Sequence, residues 1–259
     1  MQAWAWPLSF ALLTWWLGTG AILVLDGLHR RTFSRTMAGA TVLCVLALAG
    51  LAASSGRTSV AAAYCAFTCA MVVWAWQEVA FLLGWVTGPR RTPCPPGLSG
   101  MPRARAALQT VLHHEAALIV LGAAVLSATW GQPNQTGLWT FAVLWAMRQS
   151  AKLNVFLGVR NLSENFLPAH LRYLQSYFSR RAMNPLLPVS VVGASVVAVL
   201  VWQAALDESA SDFRAASLGL VGAMLGLAIL EHCFMVLPVP LDGLWRWSLK
   251  GQRARDREV

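Results

Sequence analysis

Val60–Val86 reads VAAAYCAFTCAMVVWAWQEVAFLLGWV, 27 residues with one charged side chain, Glu78. A helix rises 1.5 Å per residue, so about 20 apolar residues cross the hydrocarbon core of a bilayer. This stretch is long enough to span, and nothing in it suits a face turned to water. Working outward, six more apolar runs flank it. Approximately Trp6–Leu25 and Met37–Ala53 come before, and Ala106–Thr129, Leu138–Leu157, Leu186–Leu206 and Ala216–Leu237 after. Gly and Pro punctuate the gaps, as in Gly88-Pro89, Pro93–Gly97 and Gly131–Asn134. No Lys or Arg precedes the first run and no clean cleavage site follows it, so it reads as a span and not as a cleaved leader.

The composition of the whole chain agrees with that reading. Charged residues make up 12% and hydrophobic residues 57%, mean hydropathy is +0.54, and there are 13 Trp. Soluble domains carry about 25% charged residues, and disordered chains need low hydrophobicity. Five Cys, an odd and sparse number, exclude a disulfide scaffold. The expected fold is all-α: a polytopic membrane helix bundle of about seven transmembrane helices, forming one integral membrane domain over 1–259.

A net charge of +9, from 20 Lys+Arg against 11 Asp+Glu, raises the question of nucleic acid. No basic stripe interleaved with polar and aromatic side chains supports it, and nucleic acid is excluded as a partner. The charges fall between the apolar runs instead. Arg30, Arg31 and Arg35 sit in the first gap, Arg90, Arg91, Arg103 and Arg105 in the third, and Arg160, Arg172, Arg180 and Arg181 in the fifth. A basic tail, 248–259, follows the last span. Even gaps hold Arg57, nothing, and Arg214 beside Asp207, Glu208 and Asp212. Odd gaps are therefore basic, which places the N-terminus outside and the C-terminus in the cytoplasm of a multi-pass membrane protein. The same charge attracts anionic membrane lipid, and Trp4, Trp6, Trp85, Trp130, Trp139, Trp245 and Trp247 fall near the interfaces.

One gap differs from the rest. NLSENFLPAHLRYLQSYFSRRAMNP, residues 161–185, places Leu171, Leu174 and Phe178 opposite Arg172, Gln175 and Arg180. The pattern predicts an amphipathic interfacial helix over 164–181, resting on lipid or docked on a partner. His170, Tyr173 and Tyr177 share a face of that helix, which with Glu164 makes them candidates for a specific contact.

Ionisable groups inside spans are costly and face the bundle interior, paired or functional. Glu78, His113, His114, Glu115, Arg148, Lys152, Glu231 and His232 are such groups, and Asn154 is a polar, uncharged one beside them. Counted from the cytoplasmic ends, Glu78, Glu115, Arg148 and Glu231 lie about 12, 14, 13 and 9 Å deep, which predicts one polar layer. Three readings of the layer stand open. It is a structural set of ion pairs, with Arg148, Lys152 and Asn154 completing it. Alternatively Glu78, His113 or His114, Glu115, Glu231 and His232 supply ligands for a single iron or zinc. In the third, a histidine holds a tetrapyrrole, either as one of two axial ligands of haem iron or as the ligand of a chlorin magnesium. Cys65 and Cys69, four residues apart, read as packing. No P-loop, GxSxG or Rossmann fingerprint occurs.

WWLGTGAILVLDG (15–27), TGPRRTPCPP (87–96), GLWTFAVLWAMRQSAKLNVFLGVRN (137–161), ENFLPAHLRYLQSYFSRRAMN (164–184) and LEHCFMVLPVPLDGLWRW (230–247) resemble the photosynthetic complex assembly protein 2 family, the PuhE-type proteins of purple phototrophic bacteria. The similarity runs from the first span to Trp247. It implies an inner-membrane protein that assists formation of the reaction centre–light-harvesting 1 complex, with the reaction centre and light-harvesting 1 subunits as partners. No catalytic residue carries over with it. A factor serving bacteriochlorophyll proteins has reason to hold tetrapyrrole pigment or nascent subunits. The alternative is a metal-dependent membrane enzyme acting on pigment or quinone-type substrates through the Glu/His cluster.

Overall fold

The computed structural model describes residues 5–237, 243–245 and 247–248. Trp4 and all of the basic tail but Ser248 lie outside the described residues. Among the described residues seven α-helices follow in order: α1 Ala5–Asp26, α2 Phe33–Ser55, α3 Val60–Leu82, α4 Gly100–Thr129, α5 Thr136–Leu157, α6 Leu186–Ala205 and α7 Asp212–Phe234. Three 3-10 segments, Arg30–Thr32, Glu164–Phe166 and Ala169–Tyr177, complete the fold. Among the described residues there is no strand, only a single parallel bridge between Val159 and Arg180.

Six helices, all but α5, are long and apolar enough to cross a membrane. At 22 residues α5 matches them in length, but it carries Arg148, Gln149, Lys152 and Asn154 in its second half. Ends depart from the apolar runs where local chemistry intervenes. α3 stops at Leu82, four residues before Val86, because Gly84 takes a positive φ of 79°. The Trp85 N–H then reaches back to Ala80 O and the Gly84 N–H to Phe81 O, both at 2.9 Å. This pairing satisfies the last carbonyls and ends the helix. α4 begins at Gly100, so Arg103 and Arg105 belong to its first turns. Ser59 and Ser211 cap α3 and α7 by accepting from Ala62 N–H and Arg214 N–H.

α3 and α7 are the innermost helices, each about half buried. One face of α3 contributes Ala66, Val73 and Trp74 to a core with Leu51, Leu118, Val125 and Phe141 from α2, α4 and α5. Its other face packs Ala63 and Phe67 against Ala11 of α1 and Leu220 and Met224 of α7. α5 enters this arrangement closely: a Cβ on Gly137 would lie 2.3 Å from Leu51 and 3.1 Å from the Ala66 carbonyl oxygen. Asn134, fully buried, ties the turn before α5 to the α2–α3 turn, its amide donating to Ser54 O and Ala62 O at 3.1 Å each. α6 lies at the edge, with Val189, Val192, Val196 and Val199 turned outward.

The interfacial segment is corrected in form. Residues 164–181 do not make one amphipathic α-helix. Pro168 forces the preceding Leu167 into extended backbone and divides the segment. The second piece then winds as a 3-10 helix, in which every third side chain eclipses. Leu171, Leu174 and Tyr177 form its buried face, and the two leucines pack on Phe81, Leu82 and Val111. The apolar face is thus covered by the protein's own bundle.

Candidate functional site

α5 is the hub of the charged layer. Successive residues turn 100° about a helix, so Arg148, Gln149 and Lys152 point one way and Ser150 and Asn154 the other. On the first side, Arg148 Nη2 meets Glu78 Oε2 of α3 at 3.2 Å. Lys152 Nζ meets Glu115 Oε1 of α4 at 2.6 Å, and Gln149 Nε2 donates to Glu115 Oε2 at 2.6 Å. On the second side, the Ser150 hydroxyl lies 2.8 Å from the Ser190 hydroxyl of α6 and 2.9 Å from His232 Nε2 of α7. Asn154 donates to the Ser150 carbonyl at 3.0 Å.

The histidines are dispersed around the bundle. His232 is 1% exposed, and its Nδ1 lies 2.8 Å from the Ala228 carbonyl. A carbonyl only accepts, so Nδ1 carries the proton, and Nε2 faces the Ser150 hydroxyl, whose single proton is shared between Nε2 and Ser190 Oγ. Both nitrogens thus face partners inside the bundle. His114, also 1% exposed, packs against the Phe81 ring at 4.6 Å, tilted by 50°, with its Nδ1 unpartnered. His113, one residue earlier, is exposed on the outer face of α4. Glu231 shows surface to the outside, lies within electrostatic reach of Arg148 and Glu78, and accepts from Trp15 Nε1 at 2.9 Å.

These positions decide which expected groupings form. Glu78, Glu115, His114, Glu231 and His232 do not converge on one pocket, because Glu78 and Glu115 lie on one side of α5 and His232 on the other. Among the described residues no three His, Cys, Asp or Glu side chains are placed to share a metal ion. His114 on α4 and His232 on α7 are carried by helices that both pack on α3 and α5. The two ion pairs do form. Gln149, Ser150, Ser190 and Trp15 belong to the network although the sequence reading passed over them. Gln149 and Lys152, three residues apart, and Ser150 and Asn154, four apart, carried the signal; Ser190 and Trp15 carried none.

The interfacial candidates divide between two faces. Glu164 pairs with Arg180. Tyr177 is buried and donates its hydroxyl to Thr92 O at 3.1 Å. His170 and Tyr173 instead line a cavity with Arg30 and Arg91. Burial pushes the Tyr173 and Tyr177 phenols up. The face shared by His170, Tyr173 and Tyr177 therefore does not exist, since a period of three sets Tyr177 apart from the other two.

The chain is 40% identical over 244 residues, 92% of its length and 88% of the relative's, to a protein of Rhodobacter capsulatus described as "Uncharacterized 30.4 kDa protein in puhA 5'region". No solved structure matches. Residues 1–256 match the family described as "Protein of unknown function (DUF3623)", and the chain belongs to that family.

Proposed function

We propose that the protein is a seven-span inner-membrane assembly factor for the reaction centre–light-harvesting 1 photosynthetic complex, with its N-terminus outside and its C-terminus cytoplasmic. The observation that carries this reading is the relative encoded in the puhA 5' region, a photosynthesis-gene setting, which is similar along nearly the whole chain. The geometry supports a binding role. The layer's cations are taken up by its own carboxylates, and the outward valines of α6 offer an apolar face that a nascent subunit helix can pack against.

A pigment fits this reading at one residue. A chlorin magnesium takes one axial imidazole, and the ligand needs an open side. His232 uses both ring nitrogens inside the bundle, whereas His113 is exposed on α4 with the small Ala116 one turn further on. His113 is the side chain that would hold such a pigment, which supplies the light-absorbing macrocycle when bound. Deleting the gene in a phototrophic host is expected to lower the near-infrared absorption of the reaction centre–light-harvesting 1 complex in isolated membranes several-fold. Normal complex levels in the deletion strain would remove the assembly role.

A further inference from the structure

A second polar site lies away from the charged layer, at the end of the bundle where α2 begins and α3 stops. Arg30, Thr87, Arg91, His170 and Tyr173 line a cavity of about 470 Å³ there, beside the Leu83–Trp85 turn. Two guanidinium groups serve this cavity, and no carboxylate is among its lining residues. Three polar atoms in its wall are sequestered without a hydrogen-bond partner: Thr87 Oγ1, His170 Nε2 and the Tyr173 hydroxyl. Thr87 is only 1% exposed. Its hydroxyl and that of Tyr173 are close enough to interact but not aligned to bond.

Each buried polar group left unpaired costs about 1–3 kcal/mol, and such groups are rare enough that three in one cavity call for an explanation. Phe33 and Ser34, which follow the Arg30–Thr32 turn at the start of α2, also line this space. Gly84 brings the α3 terminus against the imidazole: a Cβ there would lie 3.1 Å from His170 Cδ2 and 3.2 Å from Nε2. Burial, then Arg30, and more weakly Arg91, push the His170 imidazole below its usual range, while the Leu82 backbone opposes them. Both cations therefore act on the ring, and an anion between them would relieve the repulsion.

We propose that this cavity binds a phosphate group, with Arg30 and Arg91 neutralising its charge and the Thr87 and Tyr173 hydroxyls completing its hydrogen bonds beside the His170 ring. Phosphate oxygens suit the donor set, because guanidinium groups pair with them in a charge-assisted fork. The phosphate comes from a phospholipid headgroup of the surrounding bilayer or from free phosphate. Exposed Trp85 at the rim and Phe33, Leu83 and Leu171 in the wall would accommodate the glycerol end of a lipid.

The full chain is purified in mild detergent and placed in nanodiscs of phosphatidylcholine, with and without phosphatidylglycerol. Retained lipid is counted by native mass spectrometry, and melting temperature in detergent is followed against inorganic phosphate. Wild type is expected to retain phosphatidylglycerol or to be protected by phosphate, and Arg30→Gln with Arg91→Gln to weaken that binding about tenfold or more. Retention that excess inorganic phosphate does not displace assigns the site to the headgroup. Protection by phosphate without lipid assigns it to the free anion. Thr87→Val keeps the shape and removes the unpaired hydroxyl. In detergent without phosphate or phospholipid it should melt at or above wild type, yet bind phosphatidylglycerol or phosphate several-fold more weakly. Overturning results are a wild type that neither retains phosphatidylglycerol nor responds to phosphate, or Arg30/Arg91 and Thr87 variants that bind like wild type.

Discussion

Each oxygen of Glu115 has its own donor, Lys152 on one and Gln149 on the other. The side chains of Lys152 and Glu115 are 26% and 19% exposed, so the pair is largely withdrawn from its surroundings. Removing one partner of such a pair strands the other charge. Lys152→Met is expected to cost on the order of 2–3 kcal/mol, below the range for fully buried pairs because some exposure remains. Lys152→Met combined with Glu115→Gln should regain most of it, read as melting temperature in one detergent. A double variant no better than the single would show that the two groups are not coupled. The common depth of Glu78, Glu115 and Arg148 was legible by counting along the chain, and so was their pairing as a class. Which residue faces inward was not. His113 and His114 differ by 100° of rotation, and a membrane helix is apolar on both faces, so no polar stripe sets its phase. His232 was expected inside and is 1% exposed, whereas its neighbour Glu231 could not be phased in the same way.

At the scale of elements, the seven apolar runs and the seven helices coincide to within a few residues, apart from the earlier starts of α2, α4 and α7. Apolar length is a strong signal, and Gly84 and the capping serines mark ends by ordinary rules. The interfacial segment was legible as amphipathic and not as a 3-10 helix, because Leu171 and Leu174 fit both a 3.6-residue and a 3-residue period. The deciding element is Pro168, which leaves too short a piece for α-helix to be favoured. Leu171→Glu with Leu174→Glu should release this piece from the bundle, since each buried leucine contributes about 1.5–3 kcal/mol. Amide exchange over 169–177 is expected to accelerate while α3 and α4 stay protected. Unchanged protection there would show that burial of these leucines does not hold the segment.

For the whole molecule, the distribution of Arg and Lys between alternate gaps is the argument for orientation. A reporter fused after Val259 should read cytoplasmic and one inserted in 207–212 periplasmic; the reverse would invert every depth assigned from the cytoplasmic side. Six helices carry their own licence to enter a bilayer, and α5 does not. During synthesis an Arg or Lys at the centre of a segment leaving the translocon costs about 2.5–3.5 kcal/mol, and α5 has one of each. Its counter-charges belong to helices made earlier, Glu78 on α3 and Glu115 on α4. On the seven-span reading, both carboxylates already stand in the membrane when Arg148 and Lys152 emerge from the ribosome. The order of the chain thus fixes an order of biogenesis, in which α5 is admitted by neighbours that precede it.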